Sequence, residues 1–422
     1  MLRLNILTST WGFMGTARKF SSGCTAALAF MALNVSLGVP LGGDSGVINN
    51  LSAKSKAGAG ADLGDQIQRN LVEAKEALDQ TPRHIIGSPV VLLGSSLVMS
   101  PLWAVDVKRG HFGKDVNMHH RSIGLREDLS KVGIQKDVVS LATPGQFVSD
   151  AYLAVDKCLT EKAPPEILIY GIAPRDFIDN TASGLVTSVF NKLVGLGDMS
   201  KIDGLFLETF DEKVNFMLER TVFLYHKRGR YKIKTAETAE RIASRFDPFL
   251  EKEENKNLTP FLMGTNRDEV WKTSLKEYSK RYKEPNETLF AKQKKCLQAL
   301  LQLCRQRNIK LYVVAMPIST ANRQLLPPGL YDKYMATLQE ETAKVGVPLV
   351  DMAALGGYQD DDFYDTVHLN HKGGQRFISQ VTSIIKADKD DIAYNPALLK
   401  LNEKAVKPVQ IASPAGSKGK TL

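Results

Sequence analysis

A short apolar run that ends in a glycine and two serines constrains the fold of this chain most. Val90–Leu93 is bounded by Pro89 and Gly94, which is typical of a strand covered on both faces of a sheet. Gly94 tolerates backbone angles that other residues resist. Because Ser95 and Ser96 follow at once, the stretch predicts a buried strand, a sharp turn and the start of a helix.

A serine at such a turn has a favourable position for chemistry. It lies at the carboxyl end of a central strand, where open α/β sheets bind their ligands. It also lies at a helix N-terminus, whose free N–H groups favour an anion. This suits a nucleophile whose attack creates an oxyanion. An ordinary strand-to-helix turn, in which Ser95 or Ser96 merely caps the helix, explains the same stretch.

The composition is that of a globular protein with ample length for a large core. Of the 422 residues, 43% are hydrophobic and 24% are charged, so the chain can form one α/β domain with insertions or two smaller domains. The net charge of +9 permits an anionic glycan or lipid as partner. No nucleic-acid-binding motif is present, so no nucleic-acid partner is predicted. Four cysteines exclude a disulfide scaffold.

The amino terminus predicts targeting out of the cytoplasm. Residues 1–43 contain no Asp or Glu, and Arg18 and Lys19 precede the uncharged stretch Phe20–Gly43. The segment fits a membrane anchor or a signal peptide cut after Gly38, and either places the rest of the chain outside the cytoplasm. An organelle transit peptide is a third interpretation, because the segment is basic and rich in Ser and Thr.

The remaining pattern alternates strands and helices. Such alternation predicts a parallel sheet with helices on both faces and right-handed crossovers. The predicted strands cover residues 90–93, 138–141, 167–170, 309–316 and 348–351, and the main predicted helices cover residues 65–78, 147–159, 329–345 and 371–386.

The same pattern predicts the domain organisation. Residues 44–83 form a linker and an amino-terminal helix, and residues 84–387 form the α/β domain. The third and fourth strands are too far apart for one crossover, so residues 181–290 are predicted to be a helical insertion. The polar residues 388–422 are predicted to be disordered.

A second chemical signal lies just before the last helix. Asp365 and His368 are three residues apart, and a tight turn brings such a carboxylate to the imidazole Nδ1, which leaves Nε2 to accept a proton from a serine. A parallel sheet brings this segment and Ser96 to the same edge. The pair His119-His120 has no third ligand at a suitable spacing, so no metal site is predicted.

Three blocks of the chain resemble the SGNH, or GDSL, hydrolase superfamily. Gly94-Ser95-Ser96-Leu97 is similar to the GDSL block, with Ser96 at the nucleophile position and Ser95 where Asp is usual. Gly145 is similar to the glycine whose N–H joins that of the nucleophile in the oxyanion hole. Asp365-Thr366-Val367-His368 resembles the D-x-x-H block. One block departs, because Ala173 stands where the family has its oxyanion-hole Asn.

The resemblance implies a fold and a chemistry. The fold is a flavodoxin-like three-layer α/β/α sandwich with a five-stranded parallel sheet, and the chemistry is that of a serine esterase or O-acyltransferase without metal or cofactor. The overall plan is similar to envelope-associated SGNH proteins, such as those in D-alanine transfer to teichoic acid or alginate acetylation. An acylated envelope glycan or lipid is therefore the expected substrate, with water or a sugar hydroxyl as acceptor.

The missing Asn leaves two questions open. Arg175 lies two residues after Ala173, and we predict that it supplies positive charge to the oxyanion or to an anionic substrate group, with Asp176 and Asn180 holding this substrate-binding loop. A purely structural ion network of Arg175 and Asp176 is the alternative. A catalytically inactive SGNH-fold module that binds envelope glycan or lipid is the alternative function.

Overall fold

The computed structural model describes most of the chain between residues 63 and 390. The ranges are 63–81, 87–111, 116, 119–159, 164–181, 184–221, 267–284 and 286–390. Among these residues, 194–221 belong to one compact unit, and 63–193 together with 267–390 belong to another. The predicted signal peptide or anchor at 1–43, the linker, and the tail beyond residue 390 lie outside the described residues.

The larger unit contains a five-stranded parallel sheet. Its strands lie in the order β2-β1-β3-β4-β5, which is the flavodoxin-like order, so the predicted fold class is confirmed. The strands are β1 (Val90–Gly94), β2 (Val138–Ser140), β3 (Ile167–Ile172), β4 (Lys310–Ala315) and β5 (Leu349–Asp351). Each bound lies within two residues of the predicted one.

Strands β1 and β3 are buried along their length, as expected where both faces of a sheet are covered. Every residue of β1 and of β3 is buried. Strand β1 lies between β2 and β3, and its last residue, Gly94, pairs with Gly171. Gly94 has φ +147°, and a Cβ there would lie 2.5 Å from the Gly171 carbonyl oxygen. Only glycine fits this turn, so the sequence G-S-S leaves the sheet directly into a helix.

The helices form two layers. One layer packs helices α2, α3 and α14 against each other, and the other contains α1, α4, α6, α10 and α12. The helices are α1 (Leu63–Asp79), α2 (Ser96–Lys108), α3 (Ile123–Lys131), α4 (Val148–Cys158), α5 (Arg175–Ile178), α6 (Ser188–Leu193), α7 (Met199–Ile202), α8 (Phe210–Thr221), α9 (Arg267–Arg281), α10 (Glu287–Gln306), α11 (Thr320–Arg323), α12 (Leu330–Val345), α13 (Met352–Gly356) and α14 (His371–Lys389), with short 3-10 helices at Leu196–Asp198 and Asp360–Asp362.

The described parts of the predicted insertion contain helices joined by loops, and these helices do not all belong to one compact unit. Helices α7 and α8 belong to the smaller unit, whereas α9 belongs to the unit that contains the sheet. Helix α10 is the crossover that leads into β4. The part of the insertion nearest to β4 is therefore built into the α/β unit, which bears directly on the candidate site.

Two further sequence features have defined places. The His119 Nε2 atom lies 2.9 Å from Asp106 Oδ2, while His120 is buried with its Nδ1 atom 3.2 Å from the Ser140 carbonyl oxygen. Both histidines lie in the loop that precedes α3. Within the described ranges, no helix combines the length and apolarity needed to cross a membrane.

Candidate active site

The two serines after β1 have different roles in the local structure. Ser95 is the N-cap of α2; its side chain is buried, and its Oγ accepts a long hydrogen bond of 3.5 Å from the Leu97 N–H. Ser96 is the first residue of the helix and is partly exposed. The first turn of α2 contains no acidic residue. No carboxylate of that turn therefore offsets the positive end of the helix dipole near Ser96.

Ser96, His368 and Asp365 form a continuous hydrogen-bonded chain. The Ser96 Oγ lies 2.8 Å from His368 Nε2, and His368 Nδ1 lies 2.7 Å from Asp365 Oδ2. An ionised carboxylate only accepts hydrogen bonds, so it holds the imidazole proton on Nδ1 and leaves Nε2 as the acceptor for the serine hydroxyl. The structure thus brings together three residues that lie 272 positions apart at the extremes.

Asp365 is buried, yet its surroundings keep it charged. Its Oδ1 accepts the backbone N–H groups of Val367 and His368, both at 2.8 Å. Burial by itself raises the pKa of the carboxyl group, but the His368 imidazole and the two N–H donors outweigh it and hold the pKa of Asp365 below its ordinary value. The D-x-x-H turn therefore maintains the carboxylate that orients His368.

One of the two residues between Asp365 and His368, Thr366, connects this turn to neighbouring elements. Thr366 is fully buried, and its Oγ1 lies 2.6 Å from Ser274 Oγ and 2.9 Å from the Nδ2 of Asn322, which donates to it. The Ser319 N–H donates to the Thr366 carbonyl oxygen at 3.1 Å. Ser274 lies on α9, which precedes β4 in the chain, and Asn322 lies on α11, which follows it. Both helices therefore help to hold Asp365 and His368 in place. No local pattern in the sequence marks Ser274 or Asn322 for this role.

The variant Thr366→Val is expected to lower turnover and stability together. Valine keeps the volume but leaves the Asn322 amide without its acceptor and removes one of the two hydrogen bonds of the Ser274 hydroxyl, at a cost of about 1–3 kcal/mol in the free energy of unfolding. Displacement of Asp365 by a fraction of an ångström is expected to reduce kcat about tenfold or more. Chemical denaturation and steady-state kinetics on a short-chain aryl ester measure the two effects.

Thr382→Val provides the matched control. Thr382 is also buried, but its hydroxyl has no hydrogen-bond partner among the described residues, so its loss is expected to leave stability and kcat unchanged or to raise stability slightly. Equal behaviour of the two variants would contradict an anchoring role for Thr366.

Gly145 lies in the loop after β2, next to the end of β1. The Thr143 N–H donates to the Gly94 carbonyl oxygen at 3.0 Å, and the Gln146 N–H closes the turn on the Thr143 carbonyl oxygen at 3.2 Å. Gly145 has φ +67°, a conformation that favours glycine. The loop is thus joined to the residue that precedes the two serines, as the predicted oxyanion hole requires.

Arg175 lies beneath this loop and binds protein atoms throughout. Its Nη2 donates to the Gly145 carbonyl oxygen at 3.1 Å and its Nη1 to the Gln146 carbonyl oxygen at 3.5 Å. Its Nε donates to Asp179 Oδ2 at 3.0 Å, and the guanidinium lies 4.6 Å from the centre of the Phe147 ring. The side chain is about one-tenth exposed. This placement favours the structural alternative, in which Arg175 supports the Gly145 loop.

Two acidic side chains complete the network around Arg175. Asp176 Oδ1 lies 3.3 Å from Arg175 Nη1, and its Oδ2 accepts the Ala173 N–H at 2.9 Å. Burial raises the pKa of Asp176 to about 7. Burial acts in the same direction on Asp179, but Arg175, Thr181 and Arg281 prevail and hold the pKa of Asp179 below its ordinary value. Arg175 thus lies between two acidic side chains, and Asp179 accepts hydrogen bonds from both Arg175 and Arg281.

Asn180 is directed away from the Arg175 network. Its Nδ2 donates to the Glu284 carbonyl oxygen at 2.6 Å, and its N–H donates to the Arg281 carbonyl oxygen at 3.0 Å. Asn180 thus holds the loop after β3 by backbone contacts with the end of α9, whereas the predicted contact with substrate has no counterpart among its hydrogen bonds.

We expect Arg175→Lys to destabilise the protein more than it slows the reaction. A lysine cannot reproduce the planar fork that binds Asp179 and two carbonyl oxygens, so the free energy of unfolding should fall by about 1–3 kcal/mol. The kcat of the folded fraction should stay within about tenfold, because a direct oxyanion donor would cost a hundredfold or more. Denaturation curves and active-site-normalised kcat values separate the two.

The control for this variant is Arg307→Lys. Arg307 also donates to backbone carbonyl oxygens, those of Val155 at 2.8 Å and Leu159 at 2.6 Å, at the end of α4. It should lose stability with no change in kcat. A hundredfold loss of kcat in Arg175→Lys at unchanged stability would instead support a direct role of Arg175 at the oxyanion.

Two solved structures align with this chain at low sequence identity. The structure of the acetyl xylan esterase AlAXEase aligns at 13% identity over 70% of this chain and 99% of its own, with a TM-score of 0.32. The lipase/acylhydrolase from Enterococcus faecalis aligns at 10% identity over 71% of this chain and 96% of its own, with a TM-score of 0.33. Both alignments are distant, so the fold assignment depends on the strand order itself. No curated protein matches the chain.

A family model gives the more specific match. The model described as DltD protein matches residues 211–386, less than half of the chain. The matched range contains Asp365 and His368 together with Ser274 and Thr366, whereas Ser96 and Gly145 lie outside it. The chain is thus DltD-like over residues 211–386, which confirms the resemblance to envelope-associated SGNH proteins that its motifs indicated.

Proposed function

We propose that this protein is a serine esterase or O-acyltransferase that uses Ser96, His368 and Asp365 as its catalytic triad. The observation that carries the proposal is the continuous chain of hydrogen bonds, 2.8 Å from Ser96 Oγ to His368 Nε2 and 2.7 Å from His368 Nδ1 to Asp365 Oδ2. Nucleophile, base and orienting carboxylate have the mutual geometry that acyl transfer requires. This constellation is specific, because the third member fixes the tautomer of the second.

The reaction begins when Ser96 Oγ attacks the carbonyl carbon of an acyl ester. The hydroxyl proton passes to His368 Nε2, and the carbonyl oxygen becomes an oxyanion. The tetrahedral intermediate collapses, the C–O bond to the alcohol breaks, and His368 gives its proton to the departing alcohol. An acyl group is then esterified to Ser96, and Asp365 has stabilised the imidazolium throughout.

The second half of the reaction repeats these steps with a new nucleophile. Water or a hydroxyl group gives its proton to His368 Nε2 and attacks the acyl carbon. The second intermediate releases Ser96, which regains the proton from His368. Water yields the free acid and a sugar hydroxyl yields a new ester, so the acceptor alone distinguishes the esterase from the transferase.

The oxyanion needs donors in this cycle. We propose the backbone N–H groups of Ser96 and Gly145 for this role, because Ser96 opens helix α2 and the Gly145 loop is joined to Gly94. Arg175 acts indirectly in this proposal, because it donates hydrogen bonds to the Gly145 and Gln146 carbonyl oxygens and so positions their loop. Asp176 and Asn180 hold the loop after β3 and do not contact substrate in this proposal.

The substrate class follows from the family match and the charge. The DltD-like range and the net charge of +9 support an acylated, anionic glycan or lipid of the cell envelope, handled outside the cytoplasm. Protease added to cells with a permeabilised outer layer should digest the chain beyond residue 60. Protection until the inner membrane is lysed would contradict this localisation.

Labelling by a fluorophosphonate probe tests the catalytic proposal. The probe forms a covalent bond only with an activated serine, so the wild-type protein should be labelled and mass spectrometry should locate the label on Ser96. Ser96→Ala should not be labelled, whereas Ser95→Ala should be. Absence of labelling in the folded wild-type protein would favour a catalytically inactive binding module, the alternative that the missing Asn at Ala173 supports.

A further inference from the structure

The end of β3 supplies no hydrogen-bond donor to the site. Ala173 has no polar side chain, and its N–H is already bonded to Asp176 Oδ2 at 2.9 Å. Arg175, which follows Ala173 by two residues in the sequence, is bonded to Asp179 and to carbonyl oxygens of the Gly145 loop. A side-chain donor for the oxyanion must therefore come from another element if the site has one.

Helix α9 is the element that bridges the triad turn and the oxyanion loop. Ser274, near its middle, lies 2.6 Å from Thr366 Oγ1 in the D-x-x-H turn. Arg281, at its end, forms an ion pair with Asp179, which also binds Arg175 below Gly145. The helix therefore contacts the supports of both halves of the proposed site.

Tyr278 lies between these two contacts on the same face of α9. It follows Ser274 by four residues, a rise of about 6 Å along the helix, and it precedes Arg281 by three. Residues at these spacings lie on one helix face. The ring lies 5.5 Å from the ring of Tyr282 and 5.7 Å from the Arg281 guanidinium, measured between centres.

The hydroxyl of Tyr278 is available to a ligand. The side chain is half-buried and packs against the apolar core. The Tyr278 hydroxyl oxygen has no hydrogen-bond partner among the described residues. It is also not one of the polar atoms in this part of the chain that are fully buried without a partner. Burial, with the neighbouring Asp365 carboxylate as the next cause, raises the pKa of Tyr278, so the phenol remains protonated and able to donate.

We propose that the Tyr278 hydroxyl donates a hydrogen bond to the carbonyl oxygen of the bound acyl ester, in place of the side-chain donor that Ala173 lacks. The inference rests on the proposed function. As Ser96 attacks, charge accumulates on the carbonyl oxygen, and the O–H group joins the Ser96 and Gly145 N–H groups around it. No proton is transferred, and the hydrogen bond strengthens in the transition state.

Tyr278→Phe tests the proposal in the full-length protein. The variant keeps the ring, and with it the contacts to Tyr282 and Arg281, and removes only the hydroxyl. With a short-chain aryl ester we expect kcat to fall about 10- to 100-fold while KM changes by less than about twofold, the pattern of an interaction made in the transition state. The rate of fluorophosphonate labelling should fall in parallel, and the melting temperature should stay unchanged.

Tyr312→Phe is the matched control. Tyr312 lies near the start of β4, towards the amino-terminal ends of the parallel strands, whereas the candidate site lies at their carboxyl ends. Its hydroxyl donates to Asp388. Its loss should lower the melting temperature at normal kcat. Wild-type turnover in Tyr278→Phe, or an increase in KM alone, would overturn the role of Tyr278 while the triad proposal stands. A wild-type protein without Ser96-dependent hydrolysis would overturn both.

Discussion

Replacing Ser96 by alanine is expected to abolish hydrolysis of a short-chain aryl ester, with a loss of kcat on the order of 10⁴- to 10⁶-fold. The reason is chemical: without Oγ no acyl-enzyme forms, and His368 loses the group whose proton it accepts at 2.8 Å. Stability should change little, because the side chain is only partly buried. Steady-state kinetics and thermal unfolding measure the two quantities.

Ser95→Ala separates the neighbouring serine from this role. Ser95 caps α2 through a long hydrogen bond to the Leu97 N–H, so its loss should cost about 1 kcal/mol in the free energy of unfolding. The kcat of the folded variant should remain close to that of the wild type. Equal losses of kcat in the two variants, or a covalent probe on Ser95, would reject Ser96 as the nucleophile.

The effects of His368 and Ser96 are expected to be strongly non-additive. His368→Ala alone should lower kcat by about as much as Ser96→Ala, but in the Ser96→Ala background it should cost almost nothing more. Asp365→Asn should lower kcat about 10⁴-fold, because an amide no longer selects the Nδ1–H tautomer that the 2.7 Å contact maintains. A double-mutant cycle on kcat/KM measures the coupling.

His371→Ala is the control for the second imidazole of this segment. His371 is largely exposed at the start of α14. Partial burial of its ring and, next, the charge of Lys108 lower its pKa. Its replacement should leave kcat unchanged. A double variant much slower than either single variant would count against Ser96 and His368 acting as one unit.

Much of the fold was predictable because its elements are encoded by local periodicity. The apolar runs that became β1 and β3 are buried as predicted. Gly94 predicted the turn because glycine takes backbone angles that other residues resist, and the structure adds that a Cβ there would lie 2.5 Å from a carbonyl oxygen. The sequence also led to Ser96, Asp365 and His368 as the candidate triad. Parallel strands end at one edge of the sheet, and the resemblance to the GDSL block favoured Ser96 over Ser95.

The fate of Arg175 shows where this reasoning ends. The sequence places a guanidinium near the oxyanion loop but does not say which atoms it binds. The structure directs it to Asp179 and to the Gly145 and Gln146 carbonyl oxygens, because a buried cation must satisfy its donors with the nearest acceptors. Asp179 lies four residues along the chain, yet Gly145 lies thirty residues away on another loop.

The insertion was the least predictable part of the site. Its helical pattern shows an amphipathic segment but not what the segment covers, since any apolar face of the sheet unit would accept it. Only the tertiary structure brings Ser274 to Thr366, 92 residues away. The sequence by itself thus determined the strands and the turn, which depend on local backbone geometry, and it pointed to Ser96, Asp365 and His368 as a candidate triad through chain order and motif. Tertiary packing decided what supports the triad, because hydrogen bonds between distant side chains leave no periodic trace in the chain.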